Sequence, residues 1–218
     1  MSSQTIAVVD YGMGNVRSVA KALEHVAGDA RVVVTNEEAR IADADRVVFP
    51  GQGAARDCML QLREYGVEAA VRVAHGEKPF LGICMGLQVL FEHSEENGGV
   101  DCLGLVRGNV RGFANDLRDP ESNARLSVPQ MGWNQVWQAD SGHPLWQGVV
   151  EGARFYYCNS YFVDPHDHML AVGRSHYGHG FTCAVAYRNV FACQFHPEKS
   201  ASDGLQLLRN FVEWNGRY

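Results

Sequence analysis

Residues Phe80–Phe91 read FLGICMGLQVLF, an apolar run that ends in Gly82-Ile83-Cys84-Met85-Gly86 and passes at once into a helix-like pattern. G-x-C-x-G is the cysteine counterpart of the G-x-S-x-G elbow, a sharp strand-to-helix turn that presents a nucleophile. The flanking glycines suit a strained turn in which side chains would clash. At such an elbow the sulfur of Cys84 faces solvent at a helix N-terminus, where the partial positive charge favours thiolate over thiol. A base and its orienter stand far along the chain, in Ala192-Cys193-Gln194-Phe195-His196-Pro197-Glu198-Lys199-Ser200. Residues i and i+2 of an extended segment point the same way, so His196 and Glu198 share a side, with Pro197 fixing the backbone between them. A carboxylate beside an imidazole fixes its tautomer and stabilises the imidazolium. Taken singly these residues are ambiguous: a cysteine after an apolar strand also serves as a small core residue.

Catalytic groups so far apart need a scaffold that brings them together. Thr5–Asp10 is strand-like, Asn15–Val26 carries helical periodicity, and Arg31–Thr35 returns to strand. Asn36 is placed to cap a helix beginning at Glu37-Glu38. Arg46–Phe49 is a short strand ending at Pro50, 54–75 is helical with an interruption near Gly66, and Pro79–Ile83 is the strand that delivers Cys84. This βαβα rhythm predicts an α/β fold, an open and mostly parallel central sheet with helices on both faces. After Gly104, segments rich in Val, Phe, Tyr and Trp, such as Phe155–Val163 and Thr182–Cys193, are expected as antiparallel extensions of the same sheet, with a closing helix over Asp203–Trp214. In open α/β sheets ligands bind beyond the carboxyl ends of strands. Pro50-Gly51, Cys84 and His196 all follow strands, so one crevice can hold all three. There the elbow offers the backbone N–H of Met85 to an oxyanion, and the glycine loop offers a second donor from Gln52 or Gly53, each worth about 3 kcal/mol. Gly51 and Gly53 also fit a plain strand-exit turn, which is how such a donor would be presented. Gln88, four residues after Cys84, falls on the same helical face.

The 218 residues, 46% hydrophobic and 20% charged, suit one globular domain spanning 1–218. A formal net charge of -6 gives no basic footprint for nucleic acid. The opening MSSQTIAVVD lacks the basic and apolar regions of a signal peptide, and no apolar run reaches the length of a membrane span. The six cysteines (58, 84, 102, 158, 183 and 193) include no C-x-x-C pair, which fits reduced thiols in a cytoplasmic protein. The histidines show no metal-ligand spacing, so no metal is expected.

GICMGLQVLF together with QFHPEKS resembles the class I glutamine amidotransferases, in which a Cys-His-Glu triad hydrolyses the side-chain amide of glutamine. Val8–Asn15 (VVDYGMGN), Pro129–Asn134 (PQMGWN) and the SxxxGLxLLRNF ending, Ser200–Phe211, narrow the likeness to members that work beside a separate (β/α)8 cyclase chain in histidine biosynthesis. The likeness runs along essentially the whole chain. It implies a flavodoxin-like glutaminase domain without cofactor, catalytic Cys84, His196 and Glu198, and a heterodimer that hands ammonia to the cyclase. For glutamine it implies contacts from Gly51, Gln88, Glu96 at the amino group, and Ser160 and Tyr161 at the carboxylate end. For the partner it implies Asn15, Pro129, Met131 and Trp133, although Trp133 also suits a core position. There are two departures from the pattern. Gln52 stands where relatives have a smaller apolar residue in PGVGAF, and Asn159 where they have His-Ser-Tyr. Three rivals remain: another cysteine hydrolase on the same elbow, such as a peptidase or γ-glutamyl hydrolase; the glutaminase of a different synthase; and a silent scaffold that only binds a partner.

Overall fold

The computed structural model describes residues 4–218. The first three residues, part of the N-terminus expected to carry no leader, lie outside them. The first half runs β1 (Thr5–Val9), α1 (Val16–Val26), β2 (Arg31–Thr35), α2 (Glu38–Asp43), β3 (Arg46–Gly51), α3 (Ala55–Glu64), α4 (Glu68–Glu77), β4 (Phe80–Cys84) and α5 (Met85–Gln88). The second half continues with β5 (His93–Ser94), β6 (Val100–Asp101), β7 (Gly108–Gly112), β8 (Gln130–Gln135), β9 (Trp137–Gln138), β10 (Arg154–Asn159), β11 (Tyr161–Pro165), β12 (Ala171–Tyr177), β13 (His179–Tyr187), β14 (Val190–Cys193) and α6 (Ala201–Glu213).

The main sheet has the order β2-β1-β3-β4-β14-β13-β11-β7-β5-β6, with β12 and β9 joined beside β13. Strands β2, β1, β3, β4 and β14 are parallel, and every residue of β3, β4 and β14 is buried. That is why these strands read as unbroken apolar runs: helices cover both faces. Helix α1 buries Val16, Val19, Ala20, Leu23 and Val26, one stripe at helical spacing, in the same core as Leu207, Leu208 and Phe211 of α6. Ile41 of α2, Leu62 of α3 and Val71 of α4 belong to a second core with Ala7, Val47 and Phe49 on the opposite side of the sheet.

Several sequence expectations need correction. The helix-like pattern after Cys84, which the sequence carries on to Phe91, is helical for a single turn only, Met85–Gln88. Glu37, not Asn36, occupies the cap of α2, and its N–H donates to the Thr35 hydroxyl. Phe155–Val163 is not one strand of the main sheet. It bends at Ser160; β11 stays in the main sheet, while β10 leaves it to form a separate antiparallel ribbon with β8. At the bend the Asn159 side chain donates to the Tyr161 carbonyl, a local bond that competes with continued pairing. Thr182–Cys193 likewise divides. Strand β13 is antiparallel, but β14 turns back and lies parallel to β4, with Cys193 opposite Ile83. The chain therefore leaves two adjacent parallel strands at the same level, at Cys84 and at Gln194.

Candidate active site

The elbow is built from close backbone approaches. Cys84 has φ 55° and ψ −108°, a costly conformation for a residue with a Cβ. Glycine is required at 86, because a Cβ there would lie 1.8 Å from the Phe49 carbonyl oxygen. At Gly51 a Cβ would stand 2.6 Å from both the Met85 Cβ and the Tyr11 hydroxyl. The end of β3 is thus pressed against the turn that carries Cys84.

Cys84 is 5% exposed, so its sulfur opens onto a cavity rather than onto bulk solvent as the elbow alone suggested. The cavity, about 320 Å³, is bordered by Cys84 with Met85 and Gln88, by Gln52 and Gly53, by Glu96, by Ser160 and Tyr161, and by His196. The His196 imidazole borders the same cavity as the Cys84 sulfur and is close enough to be influenced by it. Its Nδ1 lies 2.9 Å from Glu198 Oε1, with the two side chains 4% and 1% exposed. Burial pushes the His196 pKa down. The neighbouring Cys84 and the hydrogen-bonded Glu198 outweigh it and raise the pKa to about 10. The site therefore holds an imidazolium between a sulfur and a carboxylate, an arrangement suited to nucleophilic attack followed by proton delivery to a leaving group.

The Met85 N–H, expected from the sequence as an oxyanion donor, is not free in this state. The β3–β4 ladder extends to the pair Gly51 and Cys84, and its phase is set where Val47 N–H donates to the Pro79 carbonyl. Bonding residues alternate along a parallel strand, so Val47, Phe49 and Gly51 face β4 and the Gly51 carbonyl is aimed at the Met85 N–H. The next carbonyl, of Gln52, accepts from the Cys58 thiol at 3.7 Å. Burial pushes that thiol up to about 12, so it stays a donor.

The substrate residues expected from sequence come together here with different freedoms. Gln88 Nε2 donates to the Tyr161 carbonyl at 3.2 Å and to Gln194 Oε1 at 2.9 Å, leaving only Oε1 without a protein partner among the described residues. One Glu96 oxygen accepts from the Ala55 N–H at 2.6 Å and anchors α3. Ser160 and Tyr161 are half-buried at the cavity wall. Of the residues expected at a partner surface, Pro129 sits on the cavity border and Asn15 is half-buried before α1. Met131 and Trp133 are 65% and 49% exposed, which removes the core alternative for Trp133. They lie opposite Cys158 and Tyr156 on the β8–β10 ribbon, and Tyr156 packs edge-on against Trp133.

Sequence reasoning missed Gln194, Cys158 and Lys199. Cys158 and Lys199 border the cavity, and Lys199 Nζ lies 5.7 Å over the Tyr156 ring. Gln194 is fully buried, and its Nε2 is 3.6 Å from the Cys84 sulfur. Its position just after the fourth residue of β14, level with Cys84, becomes visible only once β4 and β14 are known to be parallel neighbours.

A family model described as glutamine amidotransferase class-I matches residues 7–214. The chain belongs to this class-I glutamine amidotransferase family. It is 58% identical over 214 residues, 98% of both chains, to the "Imidazole glycerol phosphate synthase subunit HisH" of Dechloromonas aromatica (strain RCB). It is 56% identical over 215 residues, 99% of both, to "Imidazole glycerol phosphate synthase subunit HisH 1" of Pseudomonas aeruginosa PAO1. Among solved structures, PurLQS from Thermotoga maritima superposes with a TM-score of 0.72 at 17% identity, covering 97% of this chain and 99% of that one. The glutaminase domain of Trypanosoma brucei CTPS gives 0.64 at 16% identity, over 98% and 95%. These structural likenesses bear on the fold, an α/β sheet with the same overall layout.

Proposed function

We propose that the chain is the glutaminase subunit of an imidazole glycerol phosphate synthase. It hydrolyses glutamine to glutamate and ammonia, and supplies the ammonia to a (β/α)8 cyclase chain with which it forms a cytoplasmic heterodimer. One observation carries the chemistry: the Cys84 sulfur faces a cavity beside His196, which is bonded in turn to the buried Glu198. Near-full-length identity above one half to the synthase subunits supports the narrower assignment. Among the described residues no helix is long and apolar enough to cross a membrane.

The Cys84 sulfur attacks the side-chain amide carbon of glutamine. His196 passes its proton to the departing nitrogen, ammonia leaves, and the neutral imidazole then takes a proton from water as that water opens the thioester. Glu198 keeps the ring oriented and compensates its charge. Each tetrahedral intermediate needs its oxyanion held, yet the Gly51 carbonyl is aimed at the Met85 N–H. Rotation of the Gly51–Gln52 peptide frees that N–H and turns the Gln52 N–H toward the cavity. Glycine at 51 makes the rotation inexpensive. Turnover is therefore low in the free chain and rises when the partner stabilises the rotated peptide. Met131 and Trp133, large and exposed on the ribbon whose Cys158 borders the cavity, fit the partner surface, together with Pro129 on that border and Asn15. The acceptor is the phosphorylated aminoimidazole carboxamide ribonucleotide held by the cyclase, and the products are imidazole glycerol phosphate and an aminoimidazole carboxamide ribotide.

Ammonia release from glutamine, measured with and without the cyclase chain and its ribonucleotide, tests the proposal. Partner-stimulated release that disappears in Cys84→Ala is expected. Partner-independent cleavage of peptides or γ-glutamyl conjugates would overturn it in favour of an autonomous hydrolase.

A further inference from the structure

We propose that Gln194 belongs to the reaction centre, as a fixed N–H donor that stabilises the anionic sulfur of Cys84 and holds it in its attacking position. The inference rests on Cys84 being the nucleophile. Gln194 follows β14 directly, is fully buried, and brings Nε2 to 3.6 Å from the sulfur. A primary amide can present either end to a neighbour, and only the nitrogen end favours a thiolate. Here the choice is dictated by a backbone carbonyl. The Tyr161 carbonyl can only accept, so the Gln88 atom 3.2 Å from it is the nitrogen. That same nitrogen lies 2.9 Å from one end of the Gln194 amide, which must therefore be its oxygen. The opposite end, aimed at Cys84, is then the N–H donor. Asn159 Nδ2 bonds the same Tyr161 carbonyl at 3.0 Å and keeps it in place.

Two features give this donor a task that His196 cannot perform. The helix after Cys84 has only four residues, so its dipole contributes little at the sulfur. His196 delivers its proton to the departing nitrogen and is neutral while the thioester stands. Gln194 has no proton to give up, so its N–H still faces the sulfur when water expels it as thiolate. Hydrogen bonds to charged acceptors are the strong class, and burial prevents water from replacing this one.

The test is alkylation of Cys84 by iodoacetamide, quantified at that residue by mass spectrometry because the chain has six cysteines, over about pH 5 to about pH 9. Iodoacetamide needs no glutamine contacts, so effects on substrate binding are left out of the readout. Gln194→Met, similar in length but without a donor, is expected to move the pH–rate curve up by about one unit and so to slow alkylation about tenfold on its rising limb. Gln194→Glu keeps the bond from Gln88 but sets a carboxylate against the sulfur, and is expected to slow it further. Gln88→Leu leaves Gln194 in place with its amide free to turn, and is expected to act in the same direction but less. It also serves as the probe should replacement of Gln194 prevent folding, which a urea transition would show. A wild-type pH–rate curve in Gln194→Met, or in Gln88→Leu where that variant is the probe, would overturn the role of Gln194 and leave the nucleophile intact. Wild-type Cys84 reacting no faster than the buried cysteines would instead overturn the assignment of the nucleophile.

Discussion

Replacing Glu198 with Gln keeps the shape of the side chain and removes its charge. In the native site Oε1 stands 2.9 Å from Nδ1 of His196, and neither side chain has enough exposure for water to substitute. Burial acts to lower the pKa of His196, but the neighbouring sulfur and carboxylate raise it to about 10. A hydrogen bond to a charged group contributes about 1.5–3 kcal/mol, or roughly one to two pH units. In Glu198→Gln the imidazolium should therefore lose its proton about one to two units lower than in the wild type. The same energy, applied to the transition state in which the imidazolium donates, predicts a fall in kcat/KM of about 10–150-fold. Stability must follow suit. The folded pKa lies above the ordinary value of 6.5, so the stability contributed by His196 is complete below about pH 6.5 and disappears as the pH rises through about 10. The variant should thus lose most stability near pH 6 and least above pH 10. Glutamate release by the partnered enzyme across this range, with urea midpoints at both ends, gives both readouts. A variant within twofold of wild type in turnover, with equal stability losses at the two pH extremes, would refute the coupling.

Other consequences concern the elbow and the far end of the sheet. Cys84→Gly removes the sulfur but relieves the positive φ, so its urea midpoint should correspond to about 1 kcal/mol more stability than Cys84→Ala; the reverse order would mean the turn is unstrained. Gly86→Ala drives a Cβ into the Phe49 carbonyl and should cost about 3 kcal/mol or more, read by denaturant unfolding; a loss below about 1 kcal/mol would contradict the packing. His143 is buried, accepts the Leu145 N–H on Nδ1, and has a pKa pushed down by burial to about 4. Because that value lies below the ordinary 6.5, its contribution is present above about pH 6.5 and is lost as the pH falls toward 4, by up to about 3 kcal/mol. His143→Gln should flatten that part of the urea-stability profile, and an unchanged slope would show that another group titrates.

The parallel half of the fold was legible in the sequence because its inner strands are buried apolar runs, its half-exposed edge strand β2 is a run of β-branched residues, and its longer helices show an apolar stripe. Arg31–Thr35 matches residue for residue, and the other strand boundaries there shift by one or two residues. The later strands were harder. Periodicity reports which face of a strand is buried and says nothing about its neighbour, so neither the departure of β10 into a ribbon nor the parallel return of β14 could be read from the local pattern. The separation of Cys84 and His196 in the chain hid Gln194 for the same reason. The motif strings named the sulfur, the imidazole and the carboxylate, but the third side chain at the sulfur depends on a strand pairing that no short string encodes. The occupied Met85 N–H escaped notice because backbone orientation leaves no trace in residue identity.

Strands β4 and β14 are neighbours in space although about half the chain separates them in sequence. The distance between Cys84 and His196 is therefore kept by a ladder of backbone bonds, and continuity of the polypeptide between them contributes nothing to it. A single proteolytic nick at the exposed Glu121–Ser122 turn should leave two fragments that copurify as one working unit. The same independence leaves the intervening stretch open to insertion, trimming and reshaping around different acceptor enzymes while the reacting atoms stay where they are.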